Sequence, residues 1–264
     1  MKRRRNFSRA RRIVVKVGTS VVTKKNGDVD AGWARRFARQ IACLRAQGRE
    51  VIVVSSGAIG AGRYALGMQE RPQSLAEKQA AAAVGHPRLM RVYKESFKRV
   101  KVPVAQVLLT YDDLDSKLRC RNATNTINTL LKLRVVPIIN ENDTVAVEEI
   151  KFGDNDFLSA LVFELSKADA LILLTDVQGV LRGFAGKNGA AHVISAVSRT
   201  TWAELEAGVS SGASERGTGG MRSKIQAARA AIEHGGVAVI ACGTAERVLE
   251  RIMAGEDVGT LFQP

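Results

Sequence analysis

The stretch that decides the fold runs from Val135 to Leu165 and reads VVPIINENDTVAVEEIKFGDNDFLSALVFEL. It begins with an apolar run, Val135 to Ile139, that is typical of a buried strand and stops abruptly at the polar residues 140–143. A second polar group, Gly153 to Asp156, opens an apolar-periodic segment and predicts the start of a helix. Because open α/β sheets bind ligands beyond the carboxyl ends of their strands and at helix N-termini, we predict that the substrate lies between these two polar groups.

The two polar groups could instead be ordinary turns, since Asn, Asp and Gly are the residues that turns and helix caps use. Two such groups in one strand-to-helix connection hold more carboxylates and amides than turns require, which favours a site over a loop. Between them, Val145 to Ile150 predicts a small hairpin that would carry Glu148 and Glu149 over the site. The polar residues are Asn140, Glu141, Asn142, Asp143, Asp154, Asn155 and Asp156.

Outward from this stretch, short apolar runs alternate with amphipathic segments, and no linker interrupts them. This alternation predicts a single doubly wound α/β domain over residues 13–264. The predicted strands are Ile13–Val17, Val51–Ser55, Pro103–Leu109, Leu171–Leu174 and Val237–Ala241, the last closing the sheet. The predicted helices are Trp33–Gln47, Ser74–Val84, His86–Arg99, Asn122–Lys132 and Ile225–Glu233, with Gly85 breaking the second from the third and Pro87 at a first helical position.

The composition is ordinary for a globular protein, with 45% hydrophobic and 25% charged residues in a chain of 264. No apolar run approaches the roughly 20 residues of a membrane helix, and none has the form of a signal peptide, so we expect a cytoplasmic protein without a membrane partner. The cysteines, Cys43, Cys120 and Cys242, are far apart, which favours reduced thiols. The histidines, His86, His192 and His234, are equally scattered, so neither a zinc site nor a Ser/His/Asp triad is indicated.

The chain is basic, with a net charge of +14, and seven of its cations precede the first predicted strand. This run predicts a disordered basic arm over residues 1–12, which is the kind of segment that can contact nucleic acid. A solvated tail is the simpler interpretation, so a nucleic-acid partner is not expected. The seven residues are Lys2, Arg3, Arg4, Arg5, Arg9, Arg11 and Arg12.

Glycine-rich turns follow the predicted strands and indicate anion binding. Gly18 follows the first strand, with Lys16 at the strand end, and Ser56 follows the second. Turns of this kind present backbone N–H groups to a ligand. The segment from Gly217 to Lys224 opens a helix with a lysine one turn in, which predicts a phosphate cradle.

Two further patterns are only partial matches. Ser223 stands where a P-loop requires glycine, so the cradle is not a P-loop. Gly60 to Ala65 matches the dinucleotide pattern G-x-G-x-x-A, but Gly60 lies five positions after Ser55 instead of at the turn. Nicotinamide binding is therefore a minor alternative. The Gly-rich, basic segment from Leu181 to Ala191 predicts an exposed excursion.

The residue types suit the transfer of a phosphoryl group to a carboxylate. A carboxylate of pKa about 4 is already ionised at neutral pH, so the reaction needs no general base. It needs alignment and cations around the moving phosphoryl group, which Lys16, Lys224 and Mg²⁺ would supply. Asp156 would orient the two lysines and would not take a proton.

Six motifs carry a family resemblance: KVGTS at 16–20, SSGAIGAG at 55–62, NEND at 140–143, FGDND at 152–156, LLTD at 173–176 and GTGGMRSK at 217–224. In this order, over almost the whole chain, they resemble the amino acid kinase family. The resemblance implies a three-layer α/β/α sandwich around an open, mainly parallel sheet of about eight strands. It places an amino-acid site in the N-terminal half and ATP in the C-terminal half.

The resemblance also implies an activity and its partners. ATP, with Mg²⁺ held mainly by its phosphates, would phosphorylate the γ-carboxylate of L-glutamate in the first step toward proline. Proline would act as the feedback inhibitor, and the protein would be a homo-oligomer, a dimer or a tetramer.

Positions in the motifs then imply individual roles. Lys16 and Lys224 match the phosphate-stabilising lysines, and Asp156 matches the residue that holds them. The glutamate-binding positions correspond to Ser56, Asn140, Asp143, Asp154 and Asn155. The nucleotide positions correspond to Lys16, Gly18, Thr175, Asp176, Thr218, Gly219, Gly220, Met221, Arg222, Ser223 and Lys224.

The sequence departs from the family pattern in two places. Many bacterial members continue into a C-terminal PUA domain, whereas this sequence stops soon after Gly259, so a form without that domain is expected. After Asp176 the family usually has a Tyr and an Asp-Pro pair, but residues 180–183 here are Val-Leu-Arg-Gly, which affects the adenine and ribose contacts.

Two rival functions stay open on the sequence. One is another small-acid kinase of the same family, acting on acetylglutamate or aspartate. The other is nucleic-acid binding through the basic arm, which would be salt-sensitive and independent of ATP turnover.

Overall fold

An eight-stranded, mostly parallel sheet forms the centre of the computed structural model, which describes residues 5–146, 154–182, 192–198, 201–202, 205 and 220–264. The predicted strands all occur, most of them one residue longer than predicted. The strands are β1 Arg12–Val17, β2 Glu50–Ser55, β3 Val104–Leu109, β4 Val136–Glu141, β5 Ala170–Thr175, β6 Leu181–Arg182, β7 His192–Val193, β8 Ala196–Val197, β9 Val237–Cys242 and β10 Thr260–Phe262.

The strand order is β3-β4-β2-β1-β5-β9-β10-β8, and β6 and β7 form a separate two-stranded sheet. The strands from β3 to β9 in this order all pair in parallel. The prediction that the last long strand closes the sheet is wrong, because β10 pairs antiparallel with β9 and β8 pairs with β10. Both added strands have only two or three residues, too few for hydrophobic periodicity to reveal them.

Helices connect the strands and cover both faces of the sheet, as the predicted three-layer architecture requires. Two short helices, Thr19–Val22 and Tyr111–Asp115, begin directly after β1 and β3. The helices of the described ranges are α1 Arg5–Arg9, α2 Thr19–Val22, α3 Ala31–Ala46, α4 Ala58–Ala65, α5 Leu75–Lys98, α6 Tyr111–Asp115, α7 Lys117–Lys132, α8 Asp154–Ser166, α9 Met221–Glu233 and α10 Val248–Met253.

Successive side chains of β1 point to opposite faces, so each face of the sheet has its own core. Ile13, Val15 and Val17 pack with residues of α3, α4, α5 and α10. Val14 lies on the other face, in the core formed with α7, α8 and α9. Lys16 shares that second face by the same alternation, which directs it toward the N-terminus of α8.

The predicted break at Gly85 is wrong, because α5 runs without interruption from Leu75 to Lys98 with Pro87 inside it. Gly85 allows two helices to touch instead of ending one. A Cβ at position 85 would lie 1.8 Å from the Ala58 carbonyl oxygen, and one at Gly62 would lie 1.7 Å from the Ala81 carbonyl oxygen. This backbone contact holds α5 against α4 and outweighs the helix-breaking tendencies of glycine and proline.

The prediction of a disordered basic arm is wrong for residues 5–12. Residues Arg5–Arg9 form α1, and Phe7 and Ala10 are buried. The Arg49 guanidinium donates hydrogen bonds to the carbonyl oxygens of Phe7 and Ala10 at 3.2 and 2.9 Å. The buried side chain of Phe7 anchors this segment even though its neighbours are mostly cations. Residues 1–4 lie outside the described ranges.

Some predictions fall partly or wholly outside the described ranges. The predicted hairpin over residues 145–150 lies outside them, apart from Val145 and Ala146. The predicted excursion over 181–191 also lies outside them, apart from its first two residues, which pair with β7. The cysteines Cys43, Cys120 and Cys242 are free thiols.

Among the described helices, none combines the length and the hydropathy that crossing a membrane requires.

Candidate active site

The register of the parallel strands gathers the predicted site residues at one edge of the sheet. Lys16 lies opposite Val54 of β2 and Leu173 of β5, and Val54 lies opposite Ile139 of β4. The residues that follow these positions therefore leave the sheet side by side. They are Gly18, Ser56, Asn140, Thr175 and Asp176.

A buried cluster of two lysines and one aspartate lies at this edge. The Lys16 ammonium is 2.5 Å from Asp156 Oδ1, and the Lys224 ammonium is 3.1 Å from Asp156 Oδ2. Asp156 is fully buried, and the two lysines are 4% and 6% exposed. The cluster joins residues from β1, α8 and α9. These three charges sum to one excess positive charge, which suits the binding of an anion.

The cluster keeps Asp156 ionised. Burial by itself would raise the pKa of Asp156, but the charges of Lys16 and Lys224 oppose it. Together with hydrogen bonds from Lys16 and Ser223, they lower the pKa of this carboxyl below its ordinary value. A carboxylate in this state holds cations and does not act as a proton donor at neutral pH.

Ser223 ties the start of α9 to the cluster. Its hydroxyl contacts Asp156 Oδ2 at 2.7 Å and the Gly220 carbonyl oxygen at 2.8 Å. Gly220 caps α9 without a side-chain hydrogen bond, and the same is true of Gly18 at the start of α2 and Gly57 at the start of α4. Helix N-termini that lack a side-chain cap leave N–H groups available to an anionic ligand.

At the end of β4 and the start of α8, buried amide groups have hydrogen-bonding capacity left over. Asn140 is 4% exposed, and its Oδ1 accepts a hydrogen bond from the Glu141 N–H at 2.9 Å. Neither Asn140 Nδ2 nor Asn155 Oδ1 has a hydrogen-bond partner among the described residues. Buried polar atoms without partners are rare, so this side of the edge is suited to a polar ligand.

Ser56 and Gly57 shape the turn between β2 and α4. The Ser56 N–H donates to the Val17 carbonyl oxygen at 3.0 Å, which fixes the turn against the end of β1. Gly57 has φ +107°, a conformation that favours glycine, and a Cβ there would lie 2.7 Å from Val22 Cγ1. The turn therefore requires glycine both for its backbone conformation and for its contact with α2.

On the other side of the cluster, Thr175 ends β5 and Asp176 follows it at the surface. The Thr175 hydroxyl donates to Asp176 Oδ1 at 3.1 Å, and the Gly243 N–H donates to the Thr175 carbonyl oxygen at 2.7 Å. Arg222, in the first turn of α9, is exposed. The described part of the chain contains no group of three or more His, Cys, Asp or Glu side chains that could hold a metal ion.

Not every predicted site residue can be located. Thr218 and Gly219 lie outside the described ranges, and Asp154 is located only as the first residue of α8. Gly60 to Ala65 lies inside α4 instead of at a strand-to-helix turn. The match to a dinucleotide pattern is therefore accidental, and Gly62 serves helix packing.

Sequence reasoning missed one side chain at this edge, His86. Its Nε2 lies 3.2 Å from Asp143 Oδ2, and the residue is 5% exposed. The two residues are 57 positions apart, so no local pattern could have paired them. Ser55, whose hydroxyl lies 2.8 Å from that of buried Tyr93, is a second such contact next to Ser56.

The sequence matches the amino acid kinase family over residues 11–242. It is 48% identical over 262 residues to the glutamate 5-kinase of Geobacter sp. (strain M21), covering 99% of this chain and 70% of that protein. The chain belongs to the glutamate 5-kinases of the amino acid kinase family. The glutamate 5-kinase of Pelobacter propionicus is 47% identical over 262 residues, and that of Moorella thermoacetica is 47% identical over 258 residues.

Membership makes the chain a kinase, as the sequence predicted. The kinase spans about 70% of the length of the two relatives over which 262 residues align, so those proteins are longer. The fold implied by the resemblance is confirmed, since the sheet has eight strands, is mostly parallel and lies between helices. The roles assigned to individual residues stay predictions.

Proposed function

We propose that this kinase transfers the γ-phosphoryl group of ATP to the γ-carboxylate of L-glutamate. A carboxylate oxygen bonds to the γ-phosphorus while the bond between that phosphorus and the bridging oxygen of the β-phosphate breaks. ADP leaves, and γ-glutamyl phosphate forms. The observation that carries the proposal is the buried pair of lysines held by Asp156 at 2.5 and 3.1 Å. The choice of glutamate as the acceptor follows from the relatives, which are glutamate 5-kinases.

The two lysines act on the charge of the moving phosphoryl group. In phosphoryl transfer, negative charge spreads over the transferred group and the oxygens on either side, and stabilising it is most of the catalysis. Lys16 and Lys224 reach the site from different elements, so one can face the acceptor side and the other the leaving phosphates. Asp156 fixes both ammonium groups beforehand, which limits the reorganisation that the reaction requires.

The acceptor would lie against the polar residues after β4 and at the start of α8. Asp143 is a carboxylate and suits the α-ammonium group of an amino acid, whereas the amides of Asn140 and Asn155 suit its carboxylates. Asn140 Nδ2, which has no hydrogen-bond partner among the described residues, can donate a hydrogen bond to a carboxylate. Since the γ-carboxylate is ionised at neutral pH, no residue has to remove a proton from it.

ATP would lie on the side of Thr175, Asp176 and the glycine-capped start of α9. Gly18 and Gly220 offer helix N-termini to its phosphates. Mg²⁺ would arrive with the nucleotide and neutralise phosphate charge. Asp156 already holds two ammonium groups, so this carboxylate is not free to coordinate a metal as well.

The test is an assay of ADP release with glutamate, N-acetylglutamate or aspartate as the acceptor, at one fixed concentration of MgATP. We expect turnover with glutamate that exceeds turnover with either analogue by at least about tenfold. N-acetylglutamate lacks the free ammonium group that a carboxylate partner suits, and the side chain of aspartate is one methylene shorter, which withdraws its carboxylate from the phosphoryl group. Formation of a hydroxamate after adding hydroxylamine would identify the acyl phosphate. Turnover with an analogue but not with glutamate would contradict the proposal.

We further propose that the product enters proline synthesis and that proline inhibits the enzyme. Proline shares the α-carboxylate and ammonium groups of glutamate but lacks the acceptor carboxylate. Titration of proline into the glutamate assay should lower the rate. An unchanged rate at millimolar proline would remove this part of the proposal and leave the phosphotransfer intact.

A further inference from the structure

His86 is a buried histidine in contact with a residue of the proposed glutamate site. Its Nε2 lies 3.2 Å from Asp143 Oδ2, and its side chain is 7% exposed against 18% for that of Asp143. No described residue forms a hydrogen bond with His86 Nδ1. The imidazole therefore directs its one described hydrogen bond at this carboxylate.

The backbone of His86 is held firmly relative to the site. The preceding residue, Gly85, touches the carbonyl oxygen of Ala58 so closely that no Cβ would fit. Ala58 is the first residue of α4, which starts directly after Ser56 and Gly57. His86 is thus anchored to the same turn that lies beside the substrate residues.

Asp143, in contrast, lies in the turn after β4. The torsion that rotates an aspartate carboxylate has a broad energy profile, so the backbone alone does not fix which oxygen faces a ligand. A hydrogen bond from a rigidly placed imidazole to one oxygen selects one orientation. It leaves the other oxygen, Oδ1, to face the ligand.

We propose that His86 is a positioning residue for substrate recognition, which holds Asp143 Oδ2 so that Oδ1 receives the α-ammonium group of the amino-acid substrate. This inference rests on the proposed function and adds to it a residue that does not touch the reacting atoms. Because His86 acts through the ground-state contact of Asp143, its loss raises KM for glutamate and spares kcat.

The experiment compares two amide substitutions that are matched in polarity. The amide nitrogen of His86→Gln replaces Nε2 and keeps the donor within reach of Asp143, whereas His86→Asn is one carbon shorter and loses it. We expect His86→Asn to raise KM for glutamate about tenfold, with kcat and KM for ATP within about twofold. We expect His86→Gln to stay within about threefold of the wild-type KM.

Two further arms separate positioning from a general structural effect. In an Asp143→Ala background, His86→Asn should change kcat/KM by less than about twofold, since the group it positions is gone. His234→Gln serves as the control and should leave KM for glutamate unchanged. His234, the residue after α9, also faces a carboxylate, with Nε2 3.4 Å from Glu164 Oε1 of α8, but Glu164 is not a proposed site residue. If His86→Asn does not fold, His86→Ala replaces it as the variant without a donor.

Equal KM values for the Asn and Gln variants would overturn the inference, as would a loss that persists in the Asp143→Ala background. Either result leaves the proposed function untouched if wild-type enzyme still phosphorylates glutamate. Absence of glutamate turnover in the wild type would overturn the proposed function first, and this inference with it.

Discussion

The two edges of the same sheet differ in how their polar groups are satisfied. At the edge where the parallel strands begin, Arg12 donates to Glu50 Oε2 at 2.7 Å and to Asn128 Oδ1 at 3.0 Å, and it also contacts the Ser166 carbonyl oxygen. Asp169 Oδ2 accepts the N–H groups of Arg11 and Arg12 at 2.7 and 2.8 Å. These charged groups are matched within the protein.

At the edge where the strands end, the groups are incompletely matched. Asp156 contacts two ammonium groups, those of Lys16 and Lys224. Three buried side-chain atoms at this edge, Asn140 Nδ2, Asn155 Oδ1 and His86 Nδ1, have no hydrogen-bond partner in the described part of the chain. The first edge therefore contributes stability, and the second is prepared for ligands. The predictions below test this division.

The largest expected effect comes from Asp156→Asn, which removes the carboxylate that both buried lysines contact. Breaking a buried ion pair by removing one partner costs about 3–5 kcal/mol. We expect a loss of this size in the free energy of unfolding, measured by urea denaturation, and a fall in kcat of at least about 100-fold. Restoration of stability by phosphate or ATP would show that an anion can replace the missing charge, whereas an unchanged free energy would contradict the cluster.

Asp156 should also determine how the free energy of unfolding changes at acidic pH. The pKa of Asp156 is lowered on folding, so its contribution to stability is complete above the unfolded pKa of about 3.9 and is lost as pH falls through the lower folded pKa. Wild-type stability should thus lose this contribution only below about pH 4. Asp156→Asn should flatten that part of the curve. An identical acid limb in both proteins would mean that Asp156 has no part in it.

Lys224→Ala should lower kcat by about 100- to 1000-fold, because a preorganised cation is worth about 2.7–4 kcal/mol in the transition state. KM for glutamate should change little. Lys94→Ala, on the exposed surface of α5, is the matched control and should retain full activity. The assay is single-turnover phosphotransfer. Intact turnover in the Lys224 variant would show that the cluster does not stabilise the phosphoryl group.

Asp143→Ala should mainly weaken glutamate binding. Loss of one charge-assisted hydrogen bond is worth about 1.5–3 kcal/mol, or roughly 10- to 100-fold in KM. We expect kcat to fall much less, since we assign Asp143 to the α-ammonium group of the substrate and not to the phosphoryl group. Steady-state kinetics at saturating ATP would measure both constants. A loss confined to kcat would place Asp143 with the lysine cluster instead.

The smallest effect on activity should come from Arg12→Ala at the opposite edge. We expect a loss of about 1–2 kcal/mol in unfolding free energy, because Glu50 is partly exposed and solvent can replace some of the lost hydrogen bonds. The kcat and both KM values should stay within about twofold of wild type at temperatures where the variant is folded. A selective loss of activity would contradict the division between the two edges.

Much of the fold was predictable because hydrophobic periodicity reports on long elements. Val136–Glu141 and Ala170–Thr175 are fully buried strands and were found as apolar runs. The short strands β8 and β10 were not found, since two or three residues have no measurable period. The unbroken α5 was not found either, since the sequence alone shows a glycine but not the helix packed against it. The anchoring role of Phe7 could not be predicted, because this residue stands alone among basic residues, although its buried side chain anchors α1.

The candidate site divides in the same way. Lys16, Asp156 and Lys224 could be named from glycine turns and motifs, because each lies beside residues of recognisable type. The contact between His86 and Asp143 could not, because the two residues come from a helix and a turn that only the folded chain brings together.

The sequence by itself determined the alternation of strands and helices, the family and the residue types that gather at the substrate edge, since these depend on local patterns of polarity. Only the tertiary structure decided which charges meet. It places two lysines from distant parts of the chain on one buried carboxylate. It also leaves Asn140 Nδ2 and Asn155 Oδ1 without a hydrogen-bond partner among the described residues. Strand register and helix packing, not sequence spacing, set those distances.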